Sequence, residues 1–159
     1  MRKLSQVLML TAYLALGTFA QHAGAESNAF HQESKRYLVY LGVVPASLLK
    51  KEPERVDRDK QLHGGIAAQT PAAQHVMVTI FRKDGNVRVL DATVIATVRP
   101  GKLFTRKAEE KPLEKMLTGG AVAYGNFFDM PKVGDYRIDV VIYDAKNSGS
   151  ESVRFDYTK

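Results

Sequence analysis

The sequence has no cysteine and no tryptophan among its 159 residues. Without cysteine no disulfide can link distant parts of the chain, so the stability of the fold depends on its core. The lack of thiolates also leaves histidine and methionine as the side chains that suit a soft metal ion. Seven tyrosines and seven phenylalanines, with many valines and isoleucines, supply enough apolar volume for such a core.

Long apolar runs are absent except for one near the N-terminus. Residues 7–20 are almost wholly apolar, follow the basic pair Arg2 and Lys3, and precede the small-x-small cleavage pattern of residues 23–25. The run is shorter than the ~20 apolar residues of a membrane span; an uncleaved anchor is the alternative. We therefore expect residues 1–25 to be a cleaved bacterial signal peptide, the protein to be periplasmic, and the mature chain to have no transmembrane segment.

Clusters of positive charge are also missing. The net charge is +6, but basic and acidic residues alternate in the two most charged stretches, residues 50–60 and 106–115. Nucleic-acid-binding proteins usually gather lysine and arginine on one face. We therefore expect no nucleic-acid partner, and we interpret both stretches as solvated loops.

Signatures of catalysis are absent as well. The chain has no thiol nucleophile, no G-x-S-x-G motif, and no glycine-rich phosphate loop. No spacing of histidine and aspartate suggests a catalytic triad, and no two carboxylates pair in an apolar stretch. The sequence therefore favours a protein that is not an enzyme.

Helical periodicity is missing beyond residue 25, and strand-like alternation takes its place. Seven or eight short strands are predicted, separated by turn residues such as those of residues 83–86 and 147–150. The spacing is typical of an all-β, antiparallel, immunoglobulin-like sandwich. We predict an irregular N-terminal arm over residues 26–61, which contains one strand (36–44) and a charged connector, followed by a β-sandwich domain over residues 62–159.

Two short motifs resemble known folds. Residues 133–140, VGDYRIDV, are similar to the tyrosine corner of immunoglobulin-like sandwiches, and residues 91–94, DATV, resemble a strand of small exported domains of the YtkA-like and FixH-like groups. The resemblance implies an immunoglobulin-like fold in which the hydroxyl of Tyr136 bonds back across the corner. It implies fold more than function.

A candidate metal site starts at His75 and Met77. Two residues apart on a strand, their side chains leave the same face about 7 Å apart, and imidazole and thioether suit Cu(I). Further ligands would come from His63, Met116 or Met130. The structural alternative is that Met77 is core filler, or that His75 caps an edge at the surface. The H-x-M pair also resembles that of periplasmic copper chaperones of the PCuAC kind, which implies copper binding by His75 and Met77.

The sequence thus leaves three functions open. Copper handling requires at least three of the five candidate side chains to converge. A metal-free adaptor that docks a periplasmic or membrane protein would instead show an exposed apolar patch. Carbohydrate binding would need exposed rings in residues 124–128, YGNFF, although core packing is the favoured interpretation of that cluster.

Overall fold

The computed structural model describes residues 30–49, 70–101 and 107–159. Most of the described chain is antiparallel β-structure, as predicted. The charged residues 109–115, interpreted from the sequence as part of a solvated loop, also lie in a strand. The strands are β1 (His31–Glu33), β2 (Tyr37–Pro45), β3 (Ala73–Arg82), β4 (Val87–Arg88), β5 (Ala92–Pro100), β6 (Glu109–Thr118), β7 (Ala121–Asp129), β8 (Asp135–Asp144) and β9 (Ser150–Thr158). One short helix, α1 (Ala46–Leu49), follows β2, and a 3-10 turn (Asp84–Asn86) joins β3 to β4.

The strands lie side by side in the order β1-β2-β3-β7-β6-β5-β8-β9, with β4 added to the end of β3. Strand β6 pairs with β7 through its second half and with β5 through its first half, so it joins the two sheets of the sandwich. β1 also contacts β9. The architecture is therefore a nearly closed antiparallel sandwich, which confirms the predicted fold class.

The main core lies between the sheets and is built by alternation along each strand. Val76, Val78 and Ile80 of β3 are fully buried, and the predicted inward residues of β8 (Tyr136, Ile138, Val140, Ile142) are buried too. In the aromatic cluster Tyr124 and Phe128 join this core, and Phe127 is buried on the other face of β7. Because all three rings are buried, carbohydrate binding loses its only support.

The described part of the predicted N-terminal arm, residues 30–49, contributes two strands to the sheet. The predicted strand 36–44 is β2, which pairs with β3 at nine consecutive positions. Residues 31–33, predicted to be an irregular part of the arm, form β1. The hydroxyl of Ser34 accepts a bond from the Tyr37 amide (3.1 Å), which closes the turn between β1 and β2, and the His31 ring stacks on Tyr40 at 4.8 Å. Such side-chain–backbone bonds carry too weak a sequence signal to predict so short a strand.

The tyrosine corner is present where its motif predicted it. The Tyr136 hydroxyl donates to the carbonyl of Lys132 (2.9 Å) and accepts from the amide of the same residue (3.2 Å). The ring is 3% exposed, so one side chain fills the core and holds the loop that enters β8.

Tyr136→Phe should lower the free energy of unfolding by about 1–2 kcal/mol, because it leaves the Lys132 amide and carbonyl without this partner but keeps the ring. Tyr143→Phe, on the exposed face of the same strand, should change it by less than about 0.5 kcal/mol. Urea unfolding of both variants checks the difference. Equal changes in unfolding free energy in the two variants would show that the hydrogen bonds of the tyrosine corner do not stabilise the fold.

A buried carboxylate joins β2, β3 and β8. The Asp144 side chain is fully buried and accepts bonds from Arg82 (2.5 and 2.9 Å), the Tyr37 hydroxyl (3.1 Å), the Lys146 amide (3.0 Å) and the Asn147 amide group (3.1 Å). Burial alone would raise the pKa of Asp144, but the Lys146 amide, Arg82 and Tyr37 hold it below its ordinary value of 3.8.

Acid should therefore destabilise the protein through Asp144. Because its folded pKa lies below its unfolded value, the carboxylate stabilises the native state above pH 3.8, and this contribution is lost as the pH falls through the folded pKa. Asp144→Asn should cost about 3 kcal/mol at pH 7, since Arg82 keeps its charge without its counterion. It should also flatten the fall in unfolding free energy between about pH 5 and pH 2. The exposed Asp156→Asn should do neither, and an unchanged acid slope in Asp144→Asn would contradict this assignment.

Candidate metal centre

The candidate site lies on the face of strands β2, β3, β7 and β6 that points away from the main core, here called the outer face. One row of paired residues crosses this face: Gly42 of β2 pairs with Met77 of β3, Met77 with Gly125 of β7, and Gly125 with Glu114 of β6. Two of the four positions are glycines. The row therefore has no side chain on β7, between β3 and β6.

Two predicted ligands converge on the space above Gly125. A Cβ on Gly125 would lie 2.8 Å from Nε2 of His75 and 3.2 Å from the Cε methyl of Met116. These two residues are diagonal neighbours of Gly125 on opposite sides, and a diagonal neighbour is within reach of a long side chain. His75 and Met116 therefore meet at one point because residue 125 has no side chain.

Packing on the outer face fixes the orientation of His75. Its cross-strand neighbour Phe127 lies with its ring centroid 4.6 Å away, tilted by 38°. Phe127 forms a second small buried cluster with Ala46, the first residue of α1, and Ala73 at the start of β3. His75 and Met116 are only 2% and 3% exposed, so imidazole and thioether are held in a site largely shielded from water.

Met77 lies on the outer face with His75, as predicted, but its side chain points towards β2 and not towards Gly125. Its Cγ lies 2.9 Å, and its Sδ 3.4 Å, from where a Cβ on Gly42 would be. The side chain therefore lies over β2, next to the space above Gly125. Met77 is partly exposed and has three rotatable bonds, so a rotamer change can bring its sulfur towards His75.

The other predicted ligands are not at this point. Met130 is fully buried in the main core cluster with Phe128, where it contributes packing. His63 lies outside the described residues. Within the three described ranges, no three histidine, aspartate or glutamate side chains group as a metal site. The side chains that do converge carry an imidazole and a thioether, with a second thioether on the same face. These groups suit a soft ion such as Cu(I).

Sequence reasoning missed Gly125 and Glu114. The motif E-x-M of residues 114–116 repeats the spacing of H-x-M in residues 75–77, and each pair flanks the strand that carries Gly125. Local sequence shows both pairs. Their opposition across a glycine depends on the strand order β3-β7-β6, which no local pattern reveals.

The chain matches no family model and no curated protein in sequence. Solved structures do match it. A DUF4426 family protein from Pseudomonas aeruginosa has a TM-score of 0.57 and 14% identity, and covers 81% of this chain and 92% of its own. A copper-bound variant of FetP from uropathogenic Escherichia coli has a TM-score of 0.59 and 15% identity, with 80% and 92% covered.

A third similar structure is the copper-reconstituted P19 protein from Campylobacter jejuni, with a TM-score of 0.59, 14% identity, and 80% of this chain and 91% of its own covered. FetP was also crystallised after expression in the periplasm of E. coli. At such identities the likeness shows a shared fold. The resemblance to the YtkA-like, FixH-like and PCuAC groups stays a prediction.

Gly125→Ala tests the space above β7. In a strand this change normally stabilises slightly, but here the new Cβ would meet His75, whose ring is held against Phe127. We expect a loss of about 1–3 kcal/mol in unfolding free energy from overpacking. Gly42→Ala is the matched control: its Cβ meets the adaptable Met77 side chain, so the loss should be smaller. Chemical denaturation measures both, and a harmless Gly125→Ala would contradict the close approach of His75.

Proposed function

We propose that this protein is an exported, non-enzymatic binding protein that handles copper, with Cu(I) held by His75, Met116 and Met77. The observation that carries the proposal is the convergence of His75 and Met116 above Gly125, with Met77 on the same face. The copper-bound state of FetP and of P19, which share this fold, supports it. The basic start and apolar run of residues 2–20 support export to the periplasm.

Each residue has a defined task in this proposal. His75 supplies an imidazole nitrogen whose orientation is fixed by Phe127. Met116 supplies a buried thioether from the opposite strand, and Met77 a partly exposed one that can swing towards or away from the ion. The copper ion is the cargo. The buried side chains bind it and shield it from water, and Met77 is the ligand on the exposed side, from which the ion would be released.

The competing adaptor role is the weaker candidate. Large exposed apolar side chains occur in the described residues. The three most exposed that lie outside the strands, Phe30 (49%), Leu48 (59%) and Val133 (82%), are on separate elements: the turn before β1, α1 and the loop before β8. In the described part of the chain no helix is long and apolar enough to cross a membrane. Convergence of His75 and Met116 therefore favours metal binding over docking.

Cu(I) titration against a competing chelator tests the proposal. The wild type should bind one equivalent, and His75→Ala and Met116→Ala should each weaken binding by at least about tenfold, a cost of about 1.4 kcal/mol. Met77→Ala should weaken binding less, because its sulfur must first move from β2. Met130→Leu, in the core, should leave the affinity unchanged.

Two outcomes would contradict the proposal. Wild-type binding no tighter than that of the double variant His75→Ala/Met116→Ala would exclude this site. Weakening by Met130→Leu comparable to that by Met116→Ala would show that copper binds elsewhere. Circular dichroism of every variant separates loss of a ligand from loss of fold.

A further inference from the structure

Glu114 faces the candidate site across the glycine gap. It is the cross-strand partner of Gly125, which in turn pairs with Met77. Because Gly125 has no side chain, β7 places no side chain between Glu114 and Met77 in this row. Nε2 of His75 lies 2.8 Å from where a Cβ on Gly125 would be, and β6 is one strand spacing, about 4.8 Å, from β7. A glutamate side chain that leans over Gly125 from β6 therefore comes within reach of the imidazole.

The side chain of Glu114 is also uncommitted. It is exposed and, among the described residues, makes no hydrogen bond or ion pair. Other strand carboxylates of the described chain are engaged: Asp139 with Arg99 and Arg154, Glu109 with Lys111, Glu110 with Thr97, and Glu151 with Arg36. Glu114 is therefore available as a donor on the exposed side of a site whose imidazole and Met116 thioether are buried.

The two kinds of donor suit two oxidation states of copper. Thioethers select Cu(I), whereas Cu(II) prefers nitrogen and oxygen ligands. We infer that Glu114 is a further metal ligand that gives the site a second binding mode, in which His75 and Glu114 hold Cu(II). This inference rests on the proposed function. It concerns binding of each ion as supplied, and involves no electron transfer within the protein.

Parallel titrations with Cu(II) and Cu(I) test this assignment. Glu114→Gln keeps the size of the side chain but removes the charge. It should weaken Cu(II) binding by about tenfold, shift the electron paramagnetic resonance parameters away from carboxylate ligation, and leave the Cu(I) affinity unchanged. Glu110→Gln is the matched control, since Glu110 lies on the same strand and is bonded to Thr97 at 3.0 Å. It should alter neither affinity.

The outcomes separate this inference from the proposed function. If His75→Ala and Met116→Ala weaken Cu(I) binding but Glu114→Gln leaves Cu(II) binding and its spectrum unchanged, the second mode is wrong and the Cu(I) site stands. If Glu114→Gln weakens both ions equally, Glu114 acts as a general ligand and the separation by oxidation state is wrong. If the wild type binds neither ion, both proposals fail together.

Discussion

Strand β3 pairs with β2 along one edge and with β7 along the other, and this double pairing fixes the rest of the structure. It places Val76, Val78 and Ile80 in the core and, by the same alternation, His75 and Met77 on the outer face. A shift of β3 by one residue relative to its neighbours would exchange the two sets of side chains. Burial of the apolar residues of β3 therefore fixes the register that places His75 and Met77 on the outer face. Stability of the core and geometry of the site are therefore coupled.

The two sheets differ in what their outer faces carry. On β5, β8 and β9 this face is charged, as in the group of Arg99, Asp139 and Arg154. On β3, β7 and β6 it carries buried His75, Phe127 and Met116. A histidine that is 2% exposed on the face opposite the main core needs local cover, which Phe127 and the residues packed around it provide. The outer face at the candidate site thus differs from the charged, solvent-exposed outer face of the other sheet.

Sequence alternation predicted most of the fold, because burial on one face of a strand leaves a period of two that can be read locally. It predicted the inward residues of β8, the shared face of His75 and Met77, and the corner at Tyr136. It could not choose between Met116 and Met130 as partners, since that depends on which strands become neighbours. β7 lies between β3 and β6, so Met116 meets His75, while Met130 enters the core. The positions of Gly125 and Glu114 at the candidate site could not be predicted for the same reason.

The proposed copper site lies between β3 and β6, above Gly125. The chain has five methionines, of which Met77, Met116 and Met130 lie in the described residues, so methyl NMR of the methionine-labelled protein during Cu(I) addition tests it most directly. Copper bound at this site should shift the Met116 and Met77 methyl signals until one equivalent is added, while the Met130 signal stays in place. A spectrum in which Met116 does not respond, or in which Met130 shifts as much as Met116, would contradict it.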